Sequence, residues 1–135
     1  MTKEEILNRF CERLRSSSEP VIKHRRFYAS KFLDFAGEPP WGEMAVINFM
    51  KELDAEGYSK GTQRTIYGII KTVFGAARSV ADEEKAKLAS SIDPSDPTTI
   101  RQLLKLMATP PVEWPMPRRS APRVEDKDIV APVLS

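Results

Sequence analysis

The sequence predicts an all-α fold, a small bundle of four to five helices followed by an extended, proline-rich C-terminal linker. Three observations carry that expectation. Apolar residues recur at three- and four-residue spacing in successive stretches, most regularly between Gly57 and Ala81. Start and stop signals bracket those stretches, with Thr2, Pro20, Ser59 and Pro97 at beginnings and Gly37 and Gly57 at ends. Six prolines then fall between Pro110 and Pro132, where the periodicity is gone.

The first helix opens on a capping box, Thr2 with Glu5, and runs to about Arg15, burying Ile6, Leu7, Phe10, Cys11 and Leu14. Ser16, Ser17 and Ser18 break it. Pro20 starts a second helix that ends at Gly37, with Val21, Tyr28, Phe32 and Phe35 on the core face and Ala29 and Ala36 beside them. Lys23, Arg26 and Ser30 point the other way, and Arg25 falls near the apolar side. Phe27 falls near the polar side, and two readings of it stand: a residue lying under the first helix, or an exposed contact residue. Glu38-Pro39-Pro40-Trp41 is a loop, with Trp41 covering the edge of the core. A third helix from about Gly42 to Glu56 buries Val46, Phe49, Met50 and Leu53, and its other side is acidic.

Gly57 closes that helix and Ser59 caps the next. Ile66, Ile69, Ile70, Val73, Phe74 and Ala77 then make a core face. About 140° round the axis, at 100° per residue, Lys60, Arg64, Tyr67, Lys71 and Arg78 form a basic stripe. Between the two runs a seam of Gly61, Thr65, Gly68, Thr72, Gly75 and Ser79. Glycine inside a helix costs about 1 kcal/mol against alanine, so the seam asks for a close neighbour, either another helix or a nucleic-acid backbone. Asp82 to Ser91 reads as a short exposed helix or a continuation of this one. A last helix from Asp96-Pro97 to about Ala108 has Ile100, Leu103, Leu104 and Met107 as its apolar face. The helical domain is expected over 1–108, with 109–135 a linker whose Trp114, Ile129, Val130, Val133 and Leu134 suit a neighbouring surface.

At 135 residues the chain has room for one domain with a core, and its composition is that of an ordinary globular protein. Net charge is only +2, but it is unevenly placed. Pro20 to Leu33 carries Lys23, Arg25, Arg26 and Lys31 with no acid, Gly57 to Ala81 also has none, and Glu38 to Glu56 sets five acids against Lys51. A solvated helix face mixes both signs, so two acid-free cationic stretches point to a binding surface for an anion. One Cys and one His leave no zinc set and no Cys-His pair, and no cofactor is expected. Cys11 reads as a buried thiol. No long apolar run or signal-like start occurs, which predicts a soluble intracellular protein.

The series Y-x3-FLDFAG, PPW, V-x2-FM-x2-L and EGYSKGTQRTIYGIIKTVFGAA resembles the N-terminal core-binding domain of tyrosine recombinases of the phage integrase class. The resemblance covers about Thr2 to Ala108, and Gly57, Tyr58, Ser59 and Thr62 match the family's opening of its long helix. It implies a SAM-like bundle that grips one side of a DNA duplex while a separate catalytic domain grips the other. Implied partners are therefore double-stranded DNA, a catalytic domain of the same parent, and other recombinase protomers on DNA, with no membrane. The family's catalytic Arg, Lys, His and Tyr belong to the second domain, and Tyr28, Tyr58 and Tyr67 do not match the nucleophile. The chain is not expected to be an enzyme, and its location is expected to be cytoplasmic, on nucleoid or viral DNA.

Physically, Lys and Arg would neutralise phosphates and release counterions. Lys60, Thr62, Gln63, Arg64, Tyr67 and Lys71 on the central helix are the candidate contacts, with Gln63 and Arg64 able to make bidentate contacts to base edges. Lys23, His24, Arg26 and Lys31 on the second helix would flank the same duplex, and Arg118, Arg119 and Arg123 on the tail would follow its backbone. The alternative is a helical protein-protein interaction module without DNA binding, using Phe27, Trp41 or the glycine seam.

Overall fold

The computed structural model describes residues 1–108 and 111–116. Among these every regular element is a helix: α1 (Lys3–Glu12), α2 (Glu19–Ala36), α3 (Glu43–Ala55), α4 (Lys60–Ser90) and α5 (Pro97–Ala108). Arg118, Arg119 and Arg123 lie outside the described residues.

Local chemistry fixes the helix ends. Thr2 Oγ1 accepts from Glu5 N at 3.2 Å and Glu5 Oε1 accepts from Thr2 N at 2.7 Å, so the capping box is complete. Gly37 (φ 76°) and Gly57 (φ 91°) end α2 and α3 in a backbone region that a β-carbon would strain. Ser59 Oγ accepts from Thr62 N at 3.2 Å and so satisfies one orphan donor at the start of α4. Helix α1 stops three residues short of Arg15, because its end tightens into i to i−3 bonds, Arg13 N to Phe10 O and Leu14 N to Cys11 O.

α4 is the axis of the molecule. Ile66, Ile69, Ile70, Val73, Phe74 and Ala77 are all buried, as their spacing predicts. α1 lies antiparallel against its second half: Arg9 reaches Ser79 and Glu83, and Arg13 donates to the Gly75 carbonyl at 3.3 Å. α2 enters through Ala29, Phe32 and Leu33, and α3 through Val46, Phe49 and Leu53. Phe32 joins these layers, with ring centroids 5.3 Å from both Trp41 and Phe49 and 6.0 Å from Phe74. Trp41 closes the core edge, and its Nε1 donates to the Gly37 carbonyl at 2.8 Å. Each such side chain contributes about 1.5–3 kcal/mol when fully buried.

The apolar face of α2 is narrower than its sequence suggests. Val21 and Phe35 are exposed, and Tyr28 is half-buried. Phe35 rests against Phe49 at the rim, 5.4 Å between centroids, rather than entering the core. Phe27 is 59% exposed and does not lie under α1, since it stands about 160° round the helix from Ala29. Cys11 is half-buried. Asp82 to Ser90 continues α4 without a break.

α5 forms where expected, but none of its residues is buried. Residues 111–116 lie on the bundle: Val112 joins the core, Trp114 packs against Tyr67 and Phe74, and Met116 lines a groove of about 490 Å³ between α3 and α4. Trp114 thus lies on a neighbouring surface, and that surface is α4 of its own chain. Among the described residues, no helix is long and apolar enough to cross a membrane.

Candidate nucleic-acid interface

The outer side of α4 is built by its own periodicity. With the arc around Ile66 committed to the core, Arg64 and Lys71 project into solvent, and neither makes an ion pair among the described residues. The first turn of α4 contains no acid of its own, and the carboxylate that reaches it, Asp54 of α3, meets Lys60 and Gln63 rather than Arg64 or Lys71. Gly61 and Gly68 stand beside these cations on the open surface. A β-carbon added at either would meet nothing within 4 Å.

The glycine seam thus has two halves. At Gly75 a β-carbon would sit 2.8 Å from Arg13 Nη1, so α1 does approach there, through the end of a flexible side chain. At Gly61 and Gly68 nothing among the described residues approaches, so of the two neighbours the sequence allows, a helix meets the seam only at Gly75, where α1 ends.

On α2, Lys23, His24, Arg25 and Arg26 are exposed, and the three cations make no ion pair among the described residues. A chain of rings ties this stretch to the start of α4. His24 stacks edge-on to Tyr28 at 5.1 Å, and Tyr28 meets Tyr58 at 6.0 Å, one residue before the Ser59 cap. Burial, with Tyr58 second, raises the Tyr28 hydroxyl above the ordinary tyrosine range.

Five other predicted contacts are engaged within the fold, and so is Arg78 of the basic stripe. Gln63 is buried, and its Nε2 donates to Asp54 Oδ1 at 2.9 Å and to the Tyr58 carbonyl at 2.8 Å. It joins α3 to α4 and presents no amide to a base edge. Its place three residues before Ile66 and seven before Ile70 was the available signal. Lys60 pairs with Asp54 at 3.3 Å, and the Gln63 and Lys60 contacts hold that carboxyl below the usual aspartate range. Lys31 pairs with Glu56 at 3.1 Å, which raises its pKa. Tyr67 is half-buried against Trp114, 5.3 Å between centroids. Thr62 is half-buried beside the Ser59 cap, its hydroxyl 3.0 Å from Ser59 Oγ. Arg78 is drawn to Glu113 at 3.4 Å and to Asp82 at 3.9 Å.

On α2 and the first half of α4, the exposed cations without an ion pair among the described residues are therefore Lys23, Arg25, Arg26, Arg64 and Lys71, with His24 among the first three. No group of His, Cys, Asp and Glu able to hold a metal ion occurs among the described residues. No family model, curated protein or solved structure matches this chain.

Proposed function

We propose that this chain binds duplex DNA through the exposed side of the first half of α4, with the basic stretch of α2 beside it. One observation carries the reading: Arg64 and Lys71 flank the bare Gly61 and Gly68 on a helix side that is free of acid from Gly57 to Ala81. Cations close to acids elsewhere are neutralised within the fold, as Lys3 is by Asp34, Lys31 by Glu56 and Arg78 by Glu113. A phosphate backbone meets the unneutralised set by charge and can approach the helix closely where side chains are missing. The resemblance to tyrosine-recombinase core-binding domains supports the same reading. In that role the chain grips the recombination site, in the cytoplasm on nucleoid or viral DNA, and a separate catalytic domain performs strand exchange. Alone it neither cuts nor rejoins DNA.

The experiment is a gel shift of the chain against random-sequence duplex at low and moderate salt. Binding at low salt that falls steeply with added salt is the expected result. The 59% exposure of Phe27 favours a second reading, a protein-interaction module. That reading predicts no shifted duplex at either salt concentration.

A further inference from the structure

α5 uses only one edge of its apolar face. Thr99, Leu103 and Leu106 are half-buried, whereas Ile100, Leu104 and Met107, at i, i+4 and i+7, are exposed at 36%, 61% and 62%. Three aliphatic side chains in this register form a strip that a short peptide can cover. Beside it stands Arg101, exposed and without an ion pair among the described residues, and the helix contains no acid.

We propose that this strip is the docking site for the chain's own segment 125–134, Glu-Asp-Lys-Asp-Ile-Val-Ala-Pro-Val-Leu, which lies outside the described residues. The chemistry matches on both counts. Glu125, Asp126 and Asp128, set against Lys127, give the segment a net negative charge that suits Arg101, and Ile129, Val130, Val133 and Leu134 supply apolar side chains for the strip.

Area argues for a tethered occupant. A helix of 12 residues is about 18 Å long, and three of its side chains fall far below the roughly 800 Å² per partner that a stable association of separate molecules buries. A tether raises the effective concentration to about millimolar and makes a small contact sufficient. Reach is available. From Met116 to Ile129 the chain can extend about 45 Å, whereas the length of α4 from Tyr67, near which residues 114–116 lie, to Ser90 is about 35 Å.

The test is amide hydrogen exchange on the full chain, comparing the parent with Leu104→Asp and, separately, with Ile129→Asp/Val130→Asp. Leu104 is exposed, so the first variant should melt like the parent, and the second leaves the helical body untouched. The expected result is exchange at Val133 and Leu134 about tenfold slower in the parent than in either variant, at every protein concentration. Equal exchange in parent and variants overturns the proposal. Protection that disappears on dilution also overturns it, because the occupant would then be the segment of a second copy. A parallel series with Asp126→Lys/Asp128→Lys should lose part of the protection, and no loss there removes the charge argument on which the assignment rests.

Discussion

At position 63 a polar side chain occupies a core-facing register, and the fold accommodates it by giving its amide two acceptors, Asp54 and the Tyr58 carbonyl. Removing a buried donor of this kind costs about 1–3 kcal/mol. Gln63→Ala should therefore lower the melting temperature by several degrees, at about 4–8 °C per kcal/mol for a domain of this size, while leaving the sequence preference for DNA unchanged. A melting curve and a binding selection on the same variant check both halves. The carboxylates make a separate prediction. Asp54, held low first by Gln63, shares its direction with Glu5, held first by the Thr2 backbone, Asp93, held first by the Ser95 backbone, and Asp96, held first by the Thr99 hydroxyl. A folded-state pKa below the unfolded one contributes stability above the ordinary carboxylate range, near pH 4, and that contribution is lost as pH falls through the folded value. Thermal stability should decline below about pH 4, and Asp54→Asn should flatten that limb. Lys31 has the opposite sign. Its pairing with Glu56 is fully present below the ordinary lysine range and is lost as pH rises through its raised pKa.

Along α4 the glycines divide by what surrounds them. Gly61→Ala and Gly68→Ala add a methyl group to open space and should stabilise the chain by up to about 1 kcal/mol each. Gly75→Ala should gain less, because the new methyl group displaces the Arg13 guanidinium that bonds the Gly75 carbonyl. Thermal melts of the three variants rank them. If the bare half of the seam admits a DNA backbone, Gly61→Leu and Gly68→Leu should keep the fold and weaken duplex binding; unchanged affinity in a gel shift would separate the glycines from function. The helix boundaries with a local cause were legible in the sequence, Thr2 and Ser59 as caps and Gly37 and Gly57 as stops, whereas the ends of α1 and α4, which have no such stop, were not. Which side of each helix is buried was less so. Phe35 and Val21 fit the period of α2, yet the packed contact is only as wide as Ala29, Phe32 and Leu33, and that width depends on neighbouring helices the sequence does not position. The register of α5 was legible too, but not that Ile100, Leu104 and Met107 are left uncovered.

For the molecule as a whole, the placement of charge outweighs its sum of +2. Arg64→Ala and Lys71→Ala should leave melting within about 0.5 kcal/mol of the parent, since both are exposed and make no ion pair among the described residues. Each phosphate contact so lost should reduce the slope of log K against log salt by about 0.9. Glu52→Ala is the control that should not weaken binding. Affinities measured across a salt series decide the matter, and variants that bind as tightly as the parent at low salt would return the chain to the protein-interaction reading. The stripe could be found from the sequence because it needs only helical phase. The engagement of Lys31, Lys60 and Tyr67 could not, because Glu56, Asp54 and Trp114 come from other parts of the chain. Trp114 has one more consequence. The chain contains two indoles, and Trp41 is enclosed with its N–H bonded to Gly37, whereas Trp114 is half-exposed between Tyr67 and Phe74, on the helix that carries Arg64 and Lys71. The protein therefore contains its own optical probe: an aqueous quencher should dim Trp114 selectively, and a ligand settling on the first half of α4 should shield it, with Trp41 as the internal reference.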